Sequence, residues 1–211
     1  GGIVLCKNEL GVHSNPLFIK YLGILYADDN ILGSRVKRRV SKIDRLIIEN
    51  LSKIFIFSYS FDPAFSNWLN LYWGNFHQTT KYTYQIHFND SINFRDEYTS
   101  KVKSPINRAK KNQLKIVNIN LEDFCAILNK SYKAKNTKAP YKKKNLIRFL
   151  NSLINHDCFY FKGVADSEGN IHAVAGLVYD NKSSNLILNG SDPVYREYSG
   201  NTLIIDHMIE F

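Results

Sequence analysis

The fold-deciding stretch is Ser184–Phe211, which reads SNLILNG at 184–190, SDPVYREYSGN at 191–201 and TLIIDHMIEF at 202–211. The first part is apolar and predicts a strand. The second is rich in turn residues and predicts a loop, and the third predicts an apolar helix. A strand that enters a helix through such a loop leaves several backbone N–H groups free at the positive end of the helix dipole. The stretch therefore predicts a site for phosphate groups, such as those of a diphosphate-bearing cofactor.

Three apolar segments upstream, Cys158–Ala165, Ile171–Tyr179 and Asn185–Leu188, predict strands. The connectors between them, DSEGN and DNKSS, are short and rich in turn residues, so we expect an antiparallel meander. Helical periodicity precedes the meander at Leu121–Tyr132 and Tyr141–Ile154. The second half therefore predicts helices, a meander, a loop and a last helix.

The first half predicts a similar alternation of helices and strands. Apolar spacing predicts a helix over Ser41–Leu51 with Ser41 as its N-cap, and Asp62-Pro63 predicts the start of a helix that runs to about Tyr72. Strands are predicted at Lys53–Tyr59 and Lys81–Phe88. In the connection between the halves, Ser104 and Pro105 predict a further helix start.

This alternation suggests two related α/β units, at residues 1–92 and 93–211. We expect the first unit to lack its beginning and the second its end, and the natural protein to continue past Phe211, which closes an apolar helix without a cap. A chain of 211 residues with 44% hydrophobic content is long enough to bury a core in each unit.

The composition indicates the cell compartment of the protein and the classes of site that it can contain. No apolar run reaches the roughly 18 residues that a membrane span needs. Cys6, Cys125 and Cys158 are odd in number and far apart, which favours a reducing, cytoplasmic setting over a disulfide framework. His156-Asp157-Cys158 is a tight cluster of potential ligands, but a helix-end His before a strand Cys explains it, so we predict no metal.

The positive charge is concentrated in residues 101–150, which hold 14 Lys and Arg against two Asp and Glu. A solvated helix face usually mixes signs, so this block has two interpretations: a surface that keeps the protein soluble, or a site for an anionic partner. The anion-binding candidates are Arg108, Lys110, Lys111, Lys142, Lys143 and Lys144.

Several stretches resemble the FemAB-like (methicillin-resistance and CelD-like) family, whose members carry two tandem GNAT-like domains. PLFIKYLGILY at 16–26 resembles a proline-aromatic-YLG segment of that family. YTYQIHFND at 82–90, followed by the basic stretch at 101–117, resembles its linker, and Ser184–Phe211 resembles its donor-binding segment. The resemblance implies an α/β (α+β) class, with the GNAT acyl-CoA N-acyltransferase fold in two units. Each would hold a mixed, largely antiparallel sheet flanked by helices.

The resemblance implies a transferase that moves an acyl or aminoacyl group to an amine or hydroxyl of a cell-envelope, peptidoglycan or polysaccharide precursor. The donor would be acetyl-CoA, another acyl-CoA or aminoacyl-tRNA, and the acceptor a small molecule or a glycan or peptide precursor. Tyr195 and Glu197 are the candidates for proton transfer. The implied donor-binding residues are Asn189, Gly190, Arg196, Ser199, Gly200, Asn201 and Thr202.

Three points leave alternatives open. Gly200 is alone where the family's usual donor loop has more glycines, so the alternative is a non-catalytic module of the same fold, which binds nucleic acid, including tRNA, or an anionic glycan through the basic block. The oligomeric state is left open. A zone dense in aromatics predicts either core or part of an acceptor cleft; it comprises Trp68, Tyr72, Trp73, Phe76, Tyr82 and Tyr84.

Overall fold

The chain divides into two compact units, Gly1–Gln85 (unit 1) and Ile86–Phe211 (unit 2). The structure is a computed structural model, and it describes residues 2–8, 10–25, 34–54, 57–63, 65, 68–88 and 93–211. Each unit has its own buried residues. That the two units are related GNAT-like domains, divided at residues 92 and 93, stays a prediction.

The described part of unit 1 combines very short strands with two helices. Gly2–Ile3 pairs antiparallel with Ile24–Leu25, and His13–Ser14 pairs parallel with Phe57–Ser58. Ile48 and Leu51 are buried, and Ile48 lies against Gly74, directly after the second helix. In chain order the elements are β1 (Gly2–Ile3), β2 (His13–Ser14), β3 (Ile24–Leu25), α1 (Ser34–Leu51), β4 (Phe57–Ser58) and α2 (Leu69–Trp73).

Several predictions for unit 1 were wrong in extent. The first helix begins at Ser34, so Ser41 lies inside it and is not its cap. The helix predicted from Asp62-Pro63 begins only at Leu69, although residues 64, 66 and 67 lie outside the described part. Of Lys53–Tyr59 only Phe57–Ser58 forms a strand, with residues 55 and 56 also outside the description.

The predicted strand at Lys81–Phe88 is also wrong, because this segment forms no strand. Its alternation of apolar and polar residues is real, but the segment pairs with no described strand. Tyr82 and Tyr84 are consequently fully exposed rather than packed in a core. A sequence that alternates apolar and polar residues forms a strand only where a neighbouring strand supplies backbone hydrogen bonds and the apolar face can be buried.

Unit 2 has a four-stranded antiparallel sheet, flanked by helices, in which the strands are neighbours in chain order. The sheet confirms the predicted meander. A 3-10 turn at Pro193–Tyr198 joins the last strand to the last helix. The elements are α3 (Ser100–Lys111), β5 (Lys115–Val117), α4 (Leu121–Ala134), α5 (Lys143–Asn155), β6 (Phe159–Ala165), β7 (Ile171–Tyr179), β8 (Ser184–Ser191) and α6 (Gly200–Glu210).

Helices cover both faces of this sheet. On one face, Ile106 and Ala109 of α3 and Ile204 of α6 pack against Val164 and Ala173. On the other face, α4 packs through Phe124 and Leu128, both nearly inaccessible to solvent, and α5 adds Leu146 and Leu150. The result is a mixed α/β unit in which the sheet is buried from both sides.

Helix α3 corrects the prediction that a helix begins at Ser104. It begins at Ser100, and Pro105 lies inside it, where it removes one backbone donor. Burial explains the longer helix, since Val102, Ile106 and Ala109 share the face that packs on the sheet. Helix α4 begins as predicted, because the Asn120 side chain accepts a hydrogen bond from the N–H of Asp123 at 2.8 Å.

Candidate functional site

The predicted phosphate-binding segment lies at one end of the sheet of unit 2. The register pairs Lys115 with Ala165, Ala165 with Ile171 and Ala173 with Ser191, so β5, β6, β7 and β8 reach the same end. Residues 192–202, which we name the α6 loop, cross this end and lead into α6. The following contacts explain how the loop is held.

Asp192 anchors the loop where it leaves β8. Its carboxylate is buried, accepts from the N–H of Val194 at 3.1 Å and lies 2.6 Å from the ammonium of Lys130 on α4. Its own N–H donates to the carbonyl of His172 at 2.9 Å. Burial alone would raise the pKa of Asp192, but the hydrogen bonds from Lys130 and Val194 outweigh it and lower that pKa.

His172 lies beneath the loop, in a β-bulge of β7. The register passes from Ala165 opposite Ile171 to Val164 opposite Ala173, which leaves His172 as the extra residue. A bulge of this kind re-aims a side chain and is common beside functional sites. The imidazole is buried and stacks on the ring of Tyr195 at 4.2 Å, with an interplanar angle of 9°.

A carboxylate fixes the orientation of this imidazole. His172 Nε2 lies 3.0 Å from Asp166 Oδ2, while the buried Nδ1 has no hydrogen-bond partner among the described residues. Hydrogen bonds from His172 and then Asn170 lower the pKa of Asp166 to about 2. His172, Asp166 and Tyr195 thus form a rigid base for the loop.

Helix α6 begins at a residue in the left-handed region. Ser199 has φ 63° and ψ 25°, and its side chain makes no capping hydrogen bond. Its carbonyl accepts from the N–H groups of Thr202 and Leu203 at 3.1 and 3.3 Å. The N–H groups of Gly200 and Asn201 precede these bonds and have no intrahelical acceptor, which is the arrangement that binds anions at helix N-termini in other proteins.

Gly200 is required by packing beneath the helix start. A Cβ at this buried position would lie 2.9 Å from the Cβ of His172 and 3.4 Å from Val164 Cγ1. The single glycine of the loop therefore lets α6 approach β7 closely. Asn201, the next residue, is exposed and lies on the open side of the helix start.

The remaining loop candidates divide into exposed and packed side chains. Arg196 and Glu197 are exposed, whereas Tyr195 is half-buried against His172. Arg108, at the end of α3, donates from Nη1 to the carbonyl of Glu197 at 3.5 Å, which brings one member of the basic block to the loop. Glu197 is thus the more accessible of the two candidates for proton transfer.

The two candidates on β8 have structural contacts. Gly190 pairs with Val174 inside the sheet, and a Cβ there would lie 3.1 Å from the Cα of Leu128, so it marks the close approach of α4. It is therefore neither a turn residue nor a point where strands diverge. Asn189 is exposed, and its amide donates to the carbonyl of Val174 at 3.3 Å.

A second bulge distinguishes β8 itself. Gly176 pairs with Leu188 and Leu177 with Leu186, which leaves Ile187 as the extra residue on this strand. Among the described strands β8 has a neighbour only on its β7 side. Its outer edge, next to the bulge, therefore offers unpaired backbone groups. The residue pattern of SNLILNG did not predict this bulge.

The basic block forms two separate groups, one near the α6 loop and one near the first turn of α4. Arg108, Lys110 and Lys111 are exposed at the end of α3, next to the loop. Lys142, Lys143 and Lys144 are exposed at the start of α5, where Lys143 pairs with Glu122 in the first turn of α4. Glu122 precedes Lys130, which contacts the loop, by roughly 12 Å of helix length.

No known protein family and no curated protein matches this sequence. Among the described residues no cluster of His, Cys, Asp or Glu could hold a metal ion. In that same part of the chain, every helix is too short or too polar to cross a membrane. The three cysteines are free thiols.

Proposed function

We propose that the chain is an acyl- or aminoacyltransferase of the GNAT-like type that its sequence resembles. Its substrate would be an amine or hydroxyl of a cell-envelope or polysaccharide precursor. The order strand, two helices, three-stranded meander, loop and helix in unit 2 supports this proposal. Acyl-CoA and aminoacyl-tRNA are cytoplasmic, and the free thiols agree with that compartment.

The start of α6 is the observation that carries the proposal. The N–H groups of Gly200 and Asn201 have no intrahelical acceptor, the helix dipole has its positive end here, and the exposed Arg196 precedes them in the same loop. They suit the phosphates of coenzyme A or the terminal phosphates of tRNA. The rigid base of His172, Asp166 and Tyr195 holds these donors in place before a ligand arrives, which lowers the cost of binding.

The open edge of β8 suits the acyl end of such a donor. The acceptor's nitrogen or oxygen attacks the carbonyl carbon, and the coenzyme A thiolate or the tRNA ribose oxygen leaves with the bonding electrons. Backbone N–H groups beside the bulge at Ile187 would stabilise the negative charge that develops on the carbonyl oxygen. The acceptor's proton passes to a base, for which the exposed carboxylate of Glu197 is the candidate.

Donor binding can be tested by calorimetric titration of the full chain with acetyl-CoA, a longer acyl-CoA and aminoacyl-tRNA. We expect at least one to bind, and Arg196→Ala to weaken that binding about tenfold through loss of a charge-assisted contact. Lys182→Ala removes the same charge from the turn at the opposite end of the sheet and should leave binding unchanged. Equal affinities for the two variants would contradict the assigned position.

A second candidate function is anion binding without catalysis, favoured by the lysines at the start of α5. Helix N-termini normally carry acidic residues, but the first turn of α5 has none, and Lys142 and Lys144 add positive charge to the positive pole. This function predicts RNA affinity that falls steeply with salt and that drops in a Lys142→Ala, Lys144→Ala double variant. Retention of affinity in that variant would exclude the site.

A further inference from the structure

Unit 1 contains a cleft of about 720 Å³, within the usual size range of ligand sites. The described residues that line it all come from one short stretch of sequence. The lining residues are Trp68, Tyr72, Trp73, Asn75, Phe76, His77, Gln78 and Thr80.

The cleft forms because the chain reverses direction after α2. Asn75 adopts the left-handed region at φ 61°, and the N–H of Phe76 donates back to the carbonyl of Leu71 at 3.0 Å. Phe76 then packs edge-on against Phe57 of β4, with ring centroids 5.5 Å apart. The reversal thus places the polar residues that follow Asn75 opposite the aromatic residues of α2. Phe76, which lies at the base of the cleft, attaches it to the rest of unit 1 through its contact with Phe57.

The aromatic wall is exposed. Tyr72 and Trp73 are 59% and 62% accessible, and Tyr72 makes an edge-to-face contact with Trp68 at 5.5 Å. Large aromatic rings grouped on a surface, with polar neighbours around them, are typical of a binding site.

The described residues of the lining also lack formal charge. None of the eight residues is Asp, Glu, Lys or Arg, in a chain that holds 28 basic and 19 acidic residues. The polar groups are two amides, two hydroxyls and an imidazole, which both donate and accept hydrogen bonds, and two indole N–H groups, which donate. Such a lining favours a neutral, hydroxyl-rich ligand over a phosphate, a peptide with charged side chains or a lipid tail.

We propose that this cleft binds a neutral carbohydrate. The C–H face of a pyranose ring stacks on an aromatic ring, and its hydroxyls exchange hydrogen bonds with Asn75, Gln78 and Thr80. Carbohydrate binding stands apart from acyl transfer. That the bound sugar is the acyl acceptor is a narrower statement, and it rests on the proposed function.

The two tryptophans of the chain, Trp68 and Trp73, both line the cleft, so intrinsic tryptophan fluorescence reports on this site alone. We would titrate the full chain with chitotriose, cellotriose and maltotriose, and with an acidic hyaluronan oligosaccharide for contrast. The expected result is a saturable change in emission with at least one neutral sugar. Saturation-transfer NMR should show contact with the protons of the same sugar.

Substitutions inside and outside the cleft test where the sugar binds. Trp73→Ala removes an exposed ring and leaves Trp68 as the reporter; we expect at least tenfold weaker binding. Gln78→Ala, which removes only an exposed amide, should weaken it severalfold and serves if Trp73→Ala does not fold. Tyr84→Ala, the matched control, removes a fully exposed ring outside the cleft and should bind as the parent does.

Three results would overturn the proposal: no saturable response to any of the neutral sugars, a response to hyaluronan alone, or equal affinity in the cleft variants and Tyr84→Ala. The titration contains no acyl donor, so its outcome is independent of the transferase proposal. Failure of both acyl-CoA and aminoacyl-tRNA to bind would leave sugar binding intact, and sugar binding can fail while a donor still binds.

Discussion

The two units use similar sequence patterns with different results. In unit 2, strands of seven, nine and eight residues pair with their neighbours, and helices pack on both faces of the sheet. In the described part of unit 1, each strand is two residues long, and Tyr82 and Tyr84 are exposed in a segment that forms no strand. The comparison teaches that apolar alternation specifies a strand only together with a neighbour, since pairing and burial supply the stability.

The largest expected effect tests the difference in packing between the two units. Phe124→Ala removes a fully buried ring that contacts Phe159 and Phe161, and should lower the free energy of unfolding by about 3–5 kcal/mol. Tyr84→Ala in unit 1 should change it by less than about 0.5 kcal/mol, because Tyr84 is fully exposed. Denaturant unfolding of the full chain measures both, and similar losses would show that the units do not differ in packing.

An effect of intermediate size tests how closely the start of α6 packs on β7. Gly200→Ala should lower the free energy of unfolding by about 1–3 kcal/mol, because the new methyl group meets His172. Helix propensity alone predicts the opposite sign, since Ala is favoured over Gly by up to about 1 kcal/mol.

Asn201→Ala is the matched control for this change, at an exposed position one residue later. It should be neutral or slightly stabilising, again because of the helix propensity of Ala. A stabilising Gly200→Ala variant, measured by the same denaturant unfolding, would mean that α6 does not pack closely on β7.

The smallest expected effect concerns acid stability at the same end of unit 2. The pKa of Asp166 is lowered from 3.8 to about 2 in the folded protein, so its ionised form stabilises the fold above about pH 4. That contribution is lost as the pH falls from about 4 to about 2. Unfolding measured across this interval should show a shallower decline for Asp166→Asn than for the parent, and identical slopes would contradict the assigned hydrogen bonds.

The meander was predictable because its signals are local and agree with one another. Ile171–Tyr179 is apolar apart from His172, and DSEGN closes a tight turn in which Asp166 accepts from the N–H groups of Glu168 and Asn170. The start of α4 at Leu121 was predicted from apolar spacing that is equally local. Such features need no information from distant parts of the chain.

The base of the α6 loop was not predictable in this way. His172 matters because a bulge aims it at Tyr195, and Asp192 because Lys130 reaches it across 62 positions of sequence. Neither a bulge nor a long-range ion pair has a signature in one sequence. Gly200 was identified, but its contact with His172, which gives the physical reason for the glycine, emerged only from the packing.

The most direct test of the transferase account is donor binding to Asn201→Glu. A carboxylate in the first turn of α6 complements the helix dipole, so the variant should unfold at the same or a slightly higher temperature than the parent. The same carboxylate repels phosphate. The account predicts that the parent binds acyl-CoA or aminoacyl-tRNA and that the folded variant binds it at least tenfold more weakly. Equal binding by both proteins, or binding of neither donor by the parent, would contradict it.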